Sequence, residues 1–220
     1  MSHKINILTR TSNRPKGFKR CAESISNQTY KNINHVVSYD TNDDLKYLNE
    51  YSNIQTLKID LEEIKADVEK HNVPEPVKQK KRFAPYNLYM NKLLDTVSDG
   101  WIMILDDDDC LAHANVVESI ANYITNEDTI LVWKMKFANG KVLPPPQFYT
   151  SKIPALGKIG SPCFLFHSKW KDHARWDTFK GSDFRYLNKI YNSIPYSKWI
   201  DSIYVHLSPN GPGFGIKKDI

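Results

Sequence analysis

The sequence predicts an α/β domain built on a single open sheet, mixed but mostly parallel and flanked by helices. Three observations carry this. Short apolar runs recur, as in INILT at 5–9 and WIMIL at 101–105, and such runs suit strands buried on both faces. Stretches between them place apolar residues at helical spacing, as with Phe18, Cys21, Ala22 and Ile25. The runs end in polar or acidic clusters, and open α/β sheets bind ligands outside the carboxyl ends of their strands.

Taken in order, 5–9 predicts a first strand, closed by the turn cluster TSNRP. A helix over GFKRCAESISNQTY completes the opening of a βαβ unit. Residues 34–39 (NHVVSY) predict a second strand ending at Asp40, 41–52 a loop with a short helix, and 54–59 a third strand. The charged stretch 60–85, with Pro74, Pro76 and Pro85, predicts a mobile loop with one irregular helix. Its KQKKR cluster is either a solvated surface or an electrostatic guide for phosphate. Leu88, Leu93, Leu94 and Val97 predict a helix over 86–97, and 101–105 the most buried strand. A helix over 114–123, strands at 129–136 and 163–167, a short helix over 183–190 and a strand at 202–206 follow, with Pro144 to Pro146 breaking regular structure.

Composition narrows the function classes. The chain has 220 residues, 40% hydrophobic and 25% charged, as in ordinary globular proteins. The net charge of +5 favours anionic ligands such as nucleotides, but the basic residues form no stripe or RNA-binding motif, so no nucleic-acid partner is expected. Cys21, Cys110 and Cys163 make no CxxC pair and are odd in number, which reads as free thiols of a reducing compartment. No apolar run is long enough for a signal peptide or a membrane span. The expectation is a soluble, cytoplasmic protein, or a domain of something longer.

The chemistry concentrates at Asp106, Asp107, Asp108 and Asp109. Two unit charges ~5 Å apart repel by roughly 3 kcal/mol at an effective dielectric of 20, so four adjacent carboxylates need protonation, a basic partner or a cation. Mg²⁺ characteristically takes one or two carboxylates plus substrate phosphates. In extended chain Asp106 and Asp108 share one side, where an Asp-X-Asp holds a metal and a ligand hydroxyl. A solvated acidic turn or helix cap is the plainer reading.

Three segments resemble the family-two glycosyltransferases and related GT-A enzymes. INILTRTSNRPKGFKRCAESISNQTY is similar to the family's first strand, turn and helix; NHVVSYDTNDD to its second strand ending in aspartate; and YMNKLLDTVSDGWIMILDDDD to the helix, strand and Asp-X-Asp. The resemblance implies a GT-A fold with a nucleotide-sugar half at 1–110 and an acceptor half at 111–220. It places Thr9 and Arg10 at the nucleotide, Asp40 at the uracil or ribose, Asn91 in the family's Arg-Asn pair, and Asp106, with Asp107 beside it, at the ribose or sugar. Met90 stands where the family has arginine, so Arg14 or Arg82 is the substitute basic contact. Asp108 would hold Mn²⁺ or Mg²⁺, Asp109 is the next candidate ligand, and His206 a third metal or diphosphate contact. Asp183, in GSDFRYLNKI, would be the base, although Ser182 replaces the glutamate of the family's motif; a helix cap is the alternative.

The implied reaction is inverting transfer of a sugar from a nucleoside diphosphate sugar, by default a UDP-sugar, to a glycan, lipid or protein hydroxyl. Lys80, Lys81 and Arg82 would close over the diphosphate. Trp133, Phe148, Tyr149, Trp170, Trp176 and Trp199 are candidates for stacking on an acceptor sugar, or simply core. A sugar nucleotidyltransferase is the competing enzyme class, but TRTSNRPKG lacks a glycine-rich basic loop. A non-catalytic cation- or nucleotide-binding α/β domain is the other alternative, and the aspartates lack EF-hand spacing.

Overall fold

The computed structural model describes residues 2–70 and 83–208. In chain order the strands are β1 (Ile5–Arg10), β2 (Ile33–Tyr39), β3 (Ile54–Lys58), β4 (Trp101–Ile104), β5 (Cys110–Leu111), β6 (Thr129–Lys136), β7 (Val142–Leu143), β8 (Phe164–His167) and β9 (Tyr196–His206). The helices are α1 (Pro15–Ser26), α2 (Leu45–Leu48), α3 (Leu61–Lys70), α4 (Leu88–Thr96), α5 (Val116–Ala121), α6 (Pro146–Ser151) and α7 (Ser182–Ser193). All nine strands join one sheet in the order β3-β2-β1-β4-β8-β6-β9-β5, with β7 on β6.

The sheet has two characters. β3, β2, β1 and β4 are all parallel, as expected of strands linked through helices. At β4 the direction changes: β8 runs antiparallel to β4 and β6 antiparallel to β8, while β6 and β9 pair in parallel. β1 and β4 are buried nearly throughout. α1 turns Phe18, Cys21, Ala22 and Ile25 inward, with Pro15 in its first turn, where the missing N–H costs nothing. Gly100 opens β4 at φ +90°, and a Cβ there would stand 2.7 Å from the Lys4 carbonyl, so only glycine lets the chain enter the sheet this close to β1.

Three sequence expectations need correction. Residues 61–70 form a regular helix because the Asp60 carboxylate accepts the backbone N–H groups of Glu62 and Glu63 and caps its start. Pro146 opens α6 rather than ending structure, since proline is tolerated in the first turn. β9 begins at Tyr196, six residues before the strand expected at 202–206, along the partner edge of β6. Of the six second-half aromatics, Trp133 and Trp176 are buried, as the core reading has it, and Trp199 donates its indole N–H to Tyr191 and meets Tyr149 edge-on. Lys80, Lys81 and Arg82 lie outside the described residues. Cys21 and Cys163 are buried thiols and Cys110 is partly exposed, all unpaired. Among the described residues no helix is long and apolar enough to cross a membrane.

Candidate active site

Parallel register brings the predicted residues to one edge. Leu8 faces Ile104 across β1 and β4, and the Leu105 N–H donates to the Leu8 carbonyl, so Arg10 and Thr11 run out of the sheet beside Asp106 and Asp107. Asp40 leaves β2 at the same level. These ends open into a cavity of about 890 Å³ that reaches Asp183 at the start of α7.

The aspartate run is partly neutralised from within. Arg10 donates through Nη2 and Nε to Asp106 Oδ1, at 2.8 and 3.2 Å, and through Nη1 to Asn87 Oδ1 at 3.2 Å. Its guanidinium lies 5.1 Å from the Trp176 ring centre, which fixes its plane. Arg14 Nη1 is 2.9 Å from both Asp107 Oδ1 and Asp108 Oδ2. The Thr11 hydroxyl donates to Asp107 Oδ2 at 2.9 Å, and Arg20 donates to the Asp108 carbonyl. Asp109 folds back: its N–H donates to the Asp106 carbonyl and its carboxylate accepts the Ser208 N–H at 3.1 Å.

Two arginines do not cancel the cost of burying these groups. Burial pushes Asp107 up to about 7 against the pull of Arg14, and the neighbouring Asp108 adds to the rise. Asp108 is raised by burial and then by Asp106, and Asp109 is raised well above the carboxylate range by burial and then by Asp108. Asp183 is raised chiefly by burial; the Phe184 N–H opposes the shift and Asp106 adds to it. Asp40 is held at both oxygens, by the hydroxyls of Ser12 at 2.9 Å and Tyr89 at 3.0 Å.

The cavity thus gathers Arg10, Arg14, Asp40, the four aspartates and Asp183 from the expected set. It does not gather Thr9, Asn91 or His206. Thr9 is fully buried, with its hydroxyl 3.0 Å from His35 Nε2, an imidazole that burial keeps neutral. Asn91 clamps the backbone of Trp176, donating to its carbonyl at 3.0 Å and accepting its N–H at 2.9 Å. His206 pairs with Cys110 in the sheet and its exposed side chain is not among the lining groups; Leu207 and Ser208 are. Thr11, Ser12, Asn87, Tyr89 and Ser161 belong to the site without having been singled out. Thr11 and Ser12 were signalled by their place at the end of β1, and Tyr89 opens the segment that resembles the family's helix, while Asn87 and Ser161 stand in segments with no motif.

The donor set suits a hard divalent cation held by few protein ligands. Among the described residues no three His, Cys, Asp and Glu side chains form a metal cage. Carboxylate oxygens with raised proton affinity, two of them already sharing one cationic nitrogen, fit Mg²⁺ or Mn²⁺ completed by substrate phosphates.

No family model and no curated protein matches the chain. Solved structures do. It superposes on Staphylococcus aureus TarS with a TM-score of 0.70 at 17% identity, covering 93% of this chain and 36% of that one. For TarS 1–349 in complex with UDP-GlcNAc the TM-score is 0.68 at 16% identity, covering 93% and 58%. For the mannosyltransferase PcManGT of Pyrobaculum calidifontis, in complex with GDP-Man and Mn²⁺, it is 0.60 at 11%, covering 98% and 59%. The chain has a glycosyltransferase fold of the GT-A type. It spans less than two thirds of the length of each of these proteins.

Proposed function

We propose that this chain is a metal-dependent glycosyltransferase that moves a sugar, with inversion, from a nucleoside diphosphate sugar to an acceptor hydroxyl. The observation that carries the reading is the placement of Asp106–Asp109 and Asp183 on one cavity. One group is suited to a cation and diphosphate, the other to a proton. The relatives in complex with UDP-GlcNAc and with GDP-Man and Mn²⁺ support it, and a UDP-sugar is the favoured donor.

In this scheme Asp40, held by Ser12 and Tyr89, meets the base or ribose. Asp106, held by Arg10 and within 3.5 Å of the Ser161 hydroxyl, faces the ribose or donor sugar. Asp107 fixes Arg14, and Asp108 with Asp109 beside it is where Mn²⁺ or Mg²⁺ would be held. Bound there, the ion supplies a Lewis acid for the departing diphosphate. Asp183 takes the acceptor's proton as the acceptor oxygen bonds to the anomeric carbon and the bond to diphosphate breaks. Its burial raises its affinity for that proton, which suits a general base. Residues 1–110 supply the nucleotide side and 111–220 the acceptor side.

Calorimetry tests this: UDP binding with and without Mn²⁺, for wild type and Asp108→Ala. Binding that needs Mn²⁺ and loses that dependence in the variant supports the reading. No binding of UDP, GDP or TDP with any divalent ion would sink it.

A further inference from the structure

The loop at 152–159, sequence KIPALGKI, leaves Ile153 64% and Leu156 67% exposed. They are the two most exposed large hydrophobic residues among those described. The loop is nevertheless ordered. Pro154 and Ile159 are buried, the Lys158 N–H donates to the Ala155 carbonyl, and the Lys152 carbonyl accepts the Tyr191 hydroxyl at 2.6 Å. The two aliphatic side chains are thus held outward by a folded turn. An exposed apolar pair in such a turn calls for an explanation in a way that scattered surface leucines do not.

The stretch of chain that carries the loop is basic. Residues 129–171 contain seven lysines, at 134, 136, 141, 152, 158, 169 and 171, and no Asp or Glu. Lys134 and Lys169 are spent in ion pairs and Lys171 on backbone carbonyls. Lys136, Lys141, Lys152 and Lys158 are exposed and have no ion-pair partner among the described residues. The loop and the β6–β7 hairpin border the same cavity, through Gly157 and Ile159 on one side and Phe137 and Leu143 on the other. A Cβ built on Gly181, two residues before Asp183, would stand 3.6 Å from Leu156 Cδ1.

We propose that this face docks on an anionic lipid surface, with Ile153 and Leu156 entering the headgroup region and the four lysines lying over anionic headgroups. Shallow aliphatic insertion plus basic charge is how monotopic proteins bind such membranes. A protein partner fits less well, because two side chains fall far short of the roughly 1,000 Å² a stable protein interface buries. Docking in this way turns the Asp183 end of the cavity toward the bilayer. If the proposed transfer holds, its acceptor is then a hydroxyl carried on a lipid.

The test is co-sedimentation of the full chain with phosphatidylcholine vesicles, with and without phosphatidylglycerol. Wild type is expected to bind only the anionic vesicles, and less in high salt. Ile153→Ser with Leu156→Ser, and separately Lys152→Glu with Lys158→Glu, are each expected to weaken binding at least about tenfold. UDP binding, measured in parallel, is expected to be unchanged, so the nucleotide reading succeeds or fails separately. Failure to bind anionic vesicles, equal binding to neutral ones, or undiminished binding by both variants overturns the proposal. So does concentration-dependent self-association that the serine variant abolishes while vesicle binding stays absent.

Discussion

Arg14 holds Asp108 at 2.9 Å, and the same guanidinium nitrogen is equally close to Asp107. A cation already sits where a metal would take its carboxylate oxygens. A metal that takes these same oxygens would displace Arg14, whose freed charge is then available to diphosphate. Arg14→Gln is expected to bind Mn²⁺ in the absence of nucleotide about tenfold more tightly than wild type, read by the loss of the free-Mn²⁺ resonance signal. Equal binding by the variant would show that Arg14 does not compete with the metal, and weaker binding that it assists it.

Burial raises Asp107 to about 7, while aspartate in the unfolded chain titrates near about 3.9. Between those values the folded state holds the extra proton. This contribution to stability is complete below about pH 4 and is lost as pH rises to about 7. The melting temperature of metal-free wild type, relative to Asp107→Asn, is expected to be higher at about pH 5 than at about pH 8. The change should be on the order of 2–4 °C per kcal/mol. A pH-independent difference would mean that Arg14 keeps Asp107 ionised throughout.

Asn91 spends its amide on both backbone groups of Trp176. Asn91→Ala is expected to cost about 1–3 kcal/mol of stability by leaving them unpaired. UDP affinity should be nearly unchanged in the folded variant. A loss of affinity without loss of stability would return Asn91 to the donor site.

Gly100 tests the approach of β4 to β1. Gly100→Ala meets both the unfavourable φ and the Lys4 carbonyl, and is expected to destabilise by about 1–3 kcal/mol in denaturant titration. A neutral result would mean the strand entry relaxes freely.

Asp183→Asn is expected to lower kcat by about 10²–10⁴ with the donor KM unchanged. A matching rise in KM and unchanged kcat would make Asp183 a binding group instead.

Much of the parallel half was legible because its signals are local. WIMIL is buried as a strand, and Phe18, Cys21, Ala22 and Ile25 face inward as their spacing implies. The aspartates were legible for a related reason: a charged run after a buried strand has to reach the sheet's edge. The partners of those aspartates were less so. Asn87 and Ser161 reach Arg10 and Asp106 from 77 and 55 residues away in sequence, through neutral side chains that carry no pattern of their own. β5 was missed because its two residues owe their strand conformation to β9, not to any alternation. Asn91 was read through likeness to a motif, and its actual work depends on where Trp176 arrives in three dimensions.

The aspartate run is fastened at both ends, by β4 before it and by the pairing of Cys110 with His206 after it. A tethered segment cannot relieve its own repulsion by fraying into water, as a loose acidic loop would. What relieves it instead is charge and protons: Arg10 and Arg14 on three of the carboxylates, and a retained proton on buried Asp109. Positive charge that arrives there meets a segment already held in place, and the folded chain should report its ligand most plainly through its resistance to heat.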